Sequence, residues 1–150
     1  PIYGITGNHD LWFQKKHDAG LMVGEEIAQR VKNYTHLGEN EGDIEINGLK
    51  IKLFPPGDGS AYANSYKGQK LIESFTGGEK PHLVFGGHYH KALYQFARDI
   101  HYWESGTICG QTEFMRGKKL PAHIGYWIVT VKWNSDGVQR VAQEFYPGYE

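Results

Sequence analysis

Two short segments, Gly7-Asn8-His9-Asp10 and Gly86-Gly87-His88-Tyr89-His90, constrain this chain more than any other feature, because each directly follows a β-favouring run. The first run is Pro1-Ile2-Tyr3-Gly4-Ile5-Thr6 and the second is His82-Leu83-Val84-Phe85. Open α/β sheets gather their sites at the C-terminal ends of strands, and each of the two segments occupies such a strand end. In an extended segment alternate side chains share a face, which sets His88 and His90 together and turns Tyr89 away. Two imidazoles on one face suit borderline divalent metals such as Zn, Mn or Fe, and the glycines before them allow close backbone approach. Asn8 adds an amide oxygen, an acceptable metal ligand. Each piece also has an ordinary reading. Gly, Asn and Asp are turn formers, and a His-x-His pair after a strand often only packs. Their joint occurrence at two strand ends favours the chemical reading.

The remaining pattern is α/β early and mostly antiparallel late. Helical spacing of Ile27, Ala28 and Val31 predicts a helix over Leu21–Lys32. Asp43–Ile46 and Leu49–Leu53 alternate apolar and polar residues around Asn47-Gly48, a dipeptide that takes the positive φ of a tight hairpin turn. Pro55-Pro56-Gly57-Asp58-Gly59 reads as a loop, and a second helix is expected over Asn64–Phe75, ended by Gly77-Gly78. Strands follow near Ala92–Phe96 and Ile100–Glu104, then a long one over Ile124–Trp133 that turns at Asn134–Gly137 into Val138–Tyr146. No repeat or linker interrupts the 150 residues, so a single domain is expected.

Composition excludes several classes. Sixteen basic against seventeen acidic residues give a net charge of −1, which argues against bulk electrostatic binding of nucleic acid, although a local patch escapes that count. Cys109 is the only cysteine, so no intramolecular disulfide forms and a cytoplasmic location is the plain expectation. No apolar run approaches the ~20 residues that span a bilayer, and no membrane partner is expected.

The two histidine motifs as a pair resemble the third and last signature blocks of the calcineurin-like metallophosphoesterases. The similarity continues through Gly59-Ser60-Ala61-Tyr62-Ala63, Gly78-Glu79-Lys80-Pro81 and Gly110-Gln111-Thr112-Glu113-Phe114-Met115-Arg116, which look like a phage and archaeal group of that family. The resemblance implies the C-terminal half of a two-sheet α/β sandwich flanked by helices, acting on a phosphomonoester or phosphodiester substrate. It implies a pair of divalent ions (Mn, Fe, Zn or Ni) that activate water for in-line attack on phosphorus. By position, Asn8 and His88 would bind one ion and His90 the other. His9 would be the acid or phosphate contact and Asp10 its orienter, accepting the other ring N–H to fix the tautomer.

The chain also departs from that family. The Asp-x-His and Gly-Asp-x-x-Asp blocks that supply most ligands of the first ion, and the bridging carboxylate, belong before Pro1. Pro55-Pro56 stands where a His-Pro step would bring another metal-binding histidine, and Asp58 is expected to be a turn residue rather than its substitute. The ligand count therefore predicts weak or absent activity alone, with a non-catalytic scaffold as the alternative. Partnership with the other half, or self-association, is also expected, because uncovered strands and apolar surface invite pairing. Arg116 is a candidate phosphate contact, since its guanidinium fork matches phosphate oxygens, and His123 a candidate cleft residue. His17, His36, His82 and His101 read as background, and Cys109 as a small buried residue.

Overall fold

The computed structural model describes residues 1–15, 21–55, 63 and 65–148. Its centre is a five-stranded sheet whose order follows from the chain's alternation of helix and strand. Strands β3 (Gly42–Ile46), β4 (Leu49–Phe54), β5 (Leu83–Gly86), β6 (Ala92–Ala97) and β7 (Ile100–Ser105) lie in the order β3-β4-β5-β7-β6. The three inner strands are parallel, and β3 and β6 join antiparallel at the edges. Helix α3 (Tyr66–Ser74) makes the crossover from β4 to β5. The β3–β4 hairpin forms around Asn47-Gly48 as expected, with φ of 48° and 83° at the two turn residues.

Each face of this sheet has its own core. On the α3 side Ile72, Val84, Ile100 and Tyr102 are buried together, backed by Phe54, Leu71 and Phe75. On the other side Leu49, Leu83 and Trp103 lie under a hairpin of β8 (Gly125–Asn134) and β9 (Gly137–Pro147). The hairpin's period-two pattern explains its seat, because Trp127, Val129, Val131 and Trp133 face the sheet while Tyr126 and Ile128 face outward. Trp103 stacks on Phe85 at 5.0 Å and donates its indole N–H to Gln143 Oε1 at 2.5 Å, tying the hairpin to the central strand.

A smaller parallel pair, β1 (Ile2–Gly4) with β2 (Tyr34–His36), is joined through α1 (Asp10–Lys15) and α2 (Val23–Arg30). Three elements lie outside the sequence expectations: α1, β2 and the short α4 (Glu113–Gly117). All three are brief, and short segments show too few periods to be recognised. His36, read as background from the sequence, lies on β2 with Nε2 at 2.8 Å from the Thr6 hydroxyl. Cys109, expected to be buried, is exposed. Asp58 and His17 lie outside the described residues. Among the described residues no helix is long and apolar enough to cross a membrane.

Candidate metal centre

The loop after β1 and the loop after β5 meet at the C-terminal ends of their strands. Asn8 Oδ1 lies 3.3 Å from His88 Nδ1, joining residues 80 positions apart in sequence. Both residues line a cleft of about 330 Å³ with Gly4, Gly7, Phe54, Pro55 and Ser105. The strand-end placement read from sequence is therefore what brings the two motifs together.

The local geometry of the second motif differs from the extended segment expected. His88 and His90 have φ of 78° and 55°, in the left-handed region that side-chain-bearing residues seldom adopt. The alternation argument for their common direction does not hold, and a coiled turn replaces it. Two hydrogen bonds secure that turn: Tyr89 N–H donates to Gly87 O at 3.0 Å and His123 N–H to His90 O at 2.8 Å. Such backbone strain is kept where surrounding structure over-determines it, and it clusters at functional sites.

Of the three candidate donors, His90 has the environment best suited to a cation. Its Nδ1 is buried with no hydrogen-bond partner among the described residues. Burial, followed by the neighbouring imidazoles of His88 and His9, holds its pKa below the ordinary histidine value. A neutral ring with an unpaired nitrogen is the form that accepts a cation. His9 is exposed and stacks on Trp12 at 4.2 Å. Asp10 does not reach the His9 ring: among the described residues no hydrogen bond joins them, and Asp10 Oδ2 accepts Gly7 N–H at 2.9 Å. Its observed work is to close the turn into α1, reaching back from the first helical turn to the Gly7 N–H as in a capping box.

Among the described residues the candidate donors fit part of a coordination sphere and no more. Among the described residues no group of three or more His, Cys, Asp or Glu side chains is arranged to hold a metal ion. Pro55 forms the cleft wall beside His88 and supplies no donor. The two candidate substrate contacts lie on the excursion between Thr107 and Ile124. His123 Nδ1 accepts Ala92 N–H at 3.0 Å, so it braces the His90 turn. Arg116 is exposed on α4, and no ion pair engages it among the described residues.

Sequence reasoning missed Glu104, which is 1 % exposed on β7 directly opposite Gly86. Its Oε1 accepts the Tyr102 hydroxyl, and its Oε2 has no partner among the described residues. Burial raises the carboxyl pKa to about 7, against the lowering effect of the Tyr102 hydrogen bond. Gly86 leaves room for this pair, since a Cβ there would meet the Tyr102 hydroxyl at 2.6 Å. A buried acid thus lies beneath the strand end that leads into His88. The available signal was Glu104's place on the apolar face of a strand, two residues after Tyr102.

Among solved structures the chain is similar to one described as a novel archaeal phosphodiesterase, with a TM-score of 0.55 and 14% identity over 97% of this chain and 68% of that one. It is also similar to Vps29 from Entamoeba histolytica in complex with Zn2+ (TM-score 0.46, 12% identity, 82% and 74% covered). Vps29 from Cryptosporidium parvum gives a TM-score of 0.45 at 12% identity, with 85% and 79% covered. No family model and no curated protein matches the chain. The likeness to the phosphodiesterase, spanning nearly the whole chain, identifies the fold as the α/β metallophosphoesterase type.

Proposed function

We propose that residues 1–150 form the C-terminal part of a calcineurin-like phosphoesterase domain that hydrolyses a phosphomonoester or phosphodiester with metal-activated water. The observation that carries this reading is the meeting of Asn8 with His88 at two strand ends, beside a neutral His90 whose Nδ1 is unpaired. Asn8 and His88 would hold one divalent cation and His90 a second, from Mn, Fe, Zn or Ni. A bound cation supplies a water made acidic enough to attack at neutral pH. Exposed His9 is free to contact a phosphoryl oxygen or protonate a leaving group. Asp10 keeps His9 in place indirectly, by capping the turn that carries it.

Alone, the chain turns over slowly, because the donors among the described residues do not enclose a metal pair. Hydrolysis of a chromogenic phosphodiester with Mn2+, with and without a chelator, tests the reading. Slow turnover that the chelator and His88→Ala both abolish is expected. Equal rates with and without chelator would remove the hydrolase reading.

A non-catalytic scaffold is the second reading, favoured by Pro55 in the cleft wall and by apolar residues left exposed on β1 and α1, among them Ile2, Trp12 and Phe13. Those residues fit a protein surface, either a second copy or the complementary part of the domain. Under this reading His88→Ala and His90→Ala leave assembly unchanged. A strictly monomeric chain in sedimentation, with no complementary part bound, would contradict it.

A further inference from the structure

The excursion from Thr107 to Ile124 is built as a platform attached to the candidate centre. Its two ends are bridged: Thr107 N–H donates to His123 O at 3.1 Å and Gly125 N–H to Thr107 O at 2.8 Å. Three contacts tie it inward and across. His123 N–H holds His90 O at 2.8 Å, Lys91 Nζ donates to Pro121 O at 2.8 Å, and Gln111 Nε2 donates to Leu120 O at 2.8 Å. Within it α4 is fixed by the Thr112 hydroxyl, which accepts Met115 N–H at 3.2 Å, and by the buried Met115 side chain.

This platform presents the two most exposed large hydrophobic side chains among the described residues. Phe114 is 70 % exposed and Ile108 is 87 % exposed. Beside Phe114 on the same short stretch are Arg116, Lys118 and Lys119, all exposed and none in an ion pair among the described residues. These three cations against Glu113 give the excursion a charge of +2, while the whole chain carries −1 and the remainder therefore −3. The near-neutral total conceals a local polarity.

An exposed ring costs hydration that a buried one would not, and Met115 already supplies the anchor that α4 needs. An aromatic face next to guanidinium and ammonium groups is the arrangement that takes single-stranded nucleic acid, with bases stacking on the ring and phosphates meeting the cations. A duplex offers phosphates but keeps its bases stacked away from such a ring.

We propose that the 107–124 excursion is the substrate platform of the centre and that its substrate class is single-stranded nucleic acid. Phe114 stacks a base, while Arg116, Lys118 and Lys119 hold flanking phosphates. His123 couples the platform to the turn that carries His90. This inference rests on the phosphoesterase reading of the site for the word substrate, but its test reads binding alone.

The test is fluorescence anisotropy of a labelled oligothymidylate with the full chain, without added metal and in the presence of a chelator. Binding that persists with the chelator separates the platform from hydrolysis, so failure of catalysis and failure of this inference remain distinguishable. Phe114→Ala should weaken oligothymidylate binding at least fivefold, yet leave binding of an abasic strand of equal length unchanged. Neutralising all three cations to Gln should weaken both strands and make the slope of log K against log[salt] shallower by about 2, from roughly 0.7 per phosphate contact. Wild-type affinity in both variants, or no binding of the strand at low salt, overturns the proposal. So does Phe114-dependent binding to anionic phospholipid vesicles without binding to the oligonucleotide, since that outcome assigns the platform to a membrane surface.

Discussion

The two histidine-bearing loops of this molecule are similar as sequences and different as structures. The Gly86–His90 loop leaves the central strand of a five-stranded sheet, above Tyr102 and Glu104 and braced by His123. The Gly7–Asp10 loop leaves a three-residue strand in a two-stranded sheet, and Asn8 and His9 are exposed. The first can hold strained backbone at His88 and His90 because a packed core determines it. The second is held by short-range bonds of its own: the Asp10 carboxylate accepts Gly7 N–H, and Leu11 and Trp12 N–H donate to Gly7 O and His9 O. A site assembled from both is therefore fixed on one side and adjustable on the other, and ligand binding should order the Asn8 side more than the His88 side.

The sharpest break of that comparison is a pair of aromatic truncations. Trp103→Ala, beneath the well-packed side and 0 % exposed, should cost about 3–5 kcal/mol in urea unfolding. Phe13→Ala on α1, 51 % exposed, should stay within about 0.5 kcal/mol. Similar costs for the two would mean that the loops do not differ in support.

Next in size is the pH dependence set by Glu104. Its pKa lies at about 7 in the folded chain against an ordinary 4.5, so the folded state binds the proton more tightly. The stability this contributes is complete below pH 4.5 and is lost as pH rises through about 7, a total of roughly 3 kcal/mol. Glu104→Gln, which keeps the shape without the charge, should flatten that slope and exceed the native chain in stability at pH 8. An unchanged slope would place the titration elsewhere. A smaller effect is expected of Asp10→Ala, about 1 kcal/mol from the lost reach-back bond to Gly7 N–H, with amide exchange accelerated at Gly7 and unaltered at Tyr89.

Much of this was legible in the sequence, for physical reasons that also mark where it stopped. The β3–β4 hairpin was readable because Asn47-Gly48 must take positive φ, and the β8–β9 hairpin because its alternation runs long enough to count. The meeting of Asn8 and His88 followed from the strand-end rule. The turn at His88 and His90 did not, because a left-handed conformation at histidine depends on tertiary support that no local pattern encodes. Glu104 was missed for a related reason: a carboxyl inside an apolar strand face gains its meaning only from what buries it. The charge of the 107–124 platform vanished in the whole-chain total, although its residues were in plain view.

Calorimetric titration of the full chain with Zn2+ tests the proposal that Asn8, His88 and His90 are metal donors. Binding should be measurable in the native chain and at least tenfold weaker in both His88→Ala and His90→Ala, with unfolding midpoints little changed. Zn2+ affinity that is the same in all three proteins would mean that the ion binds without these imidazoles.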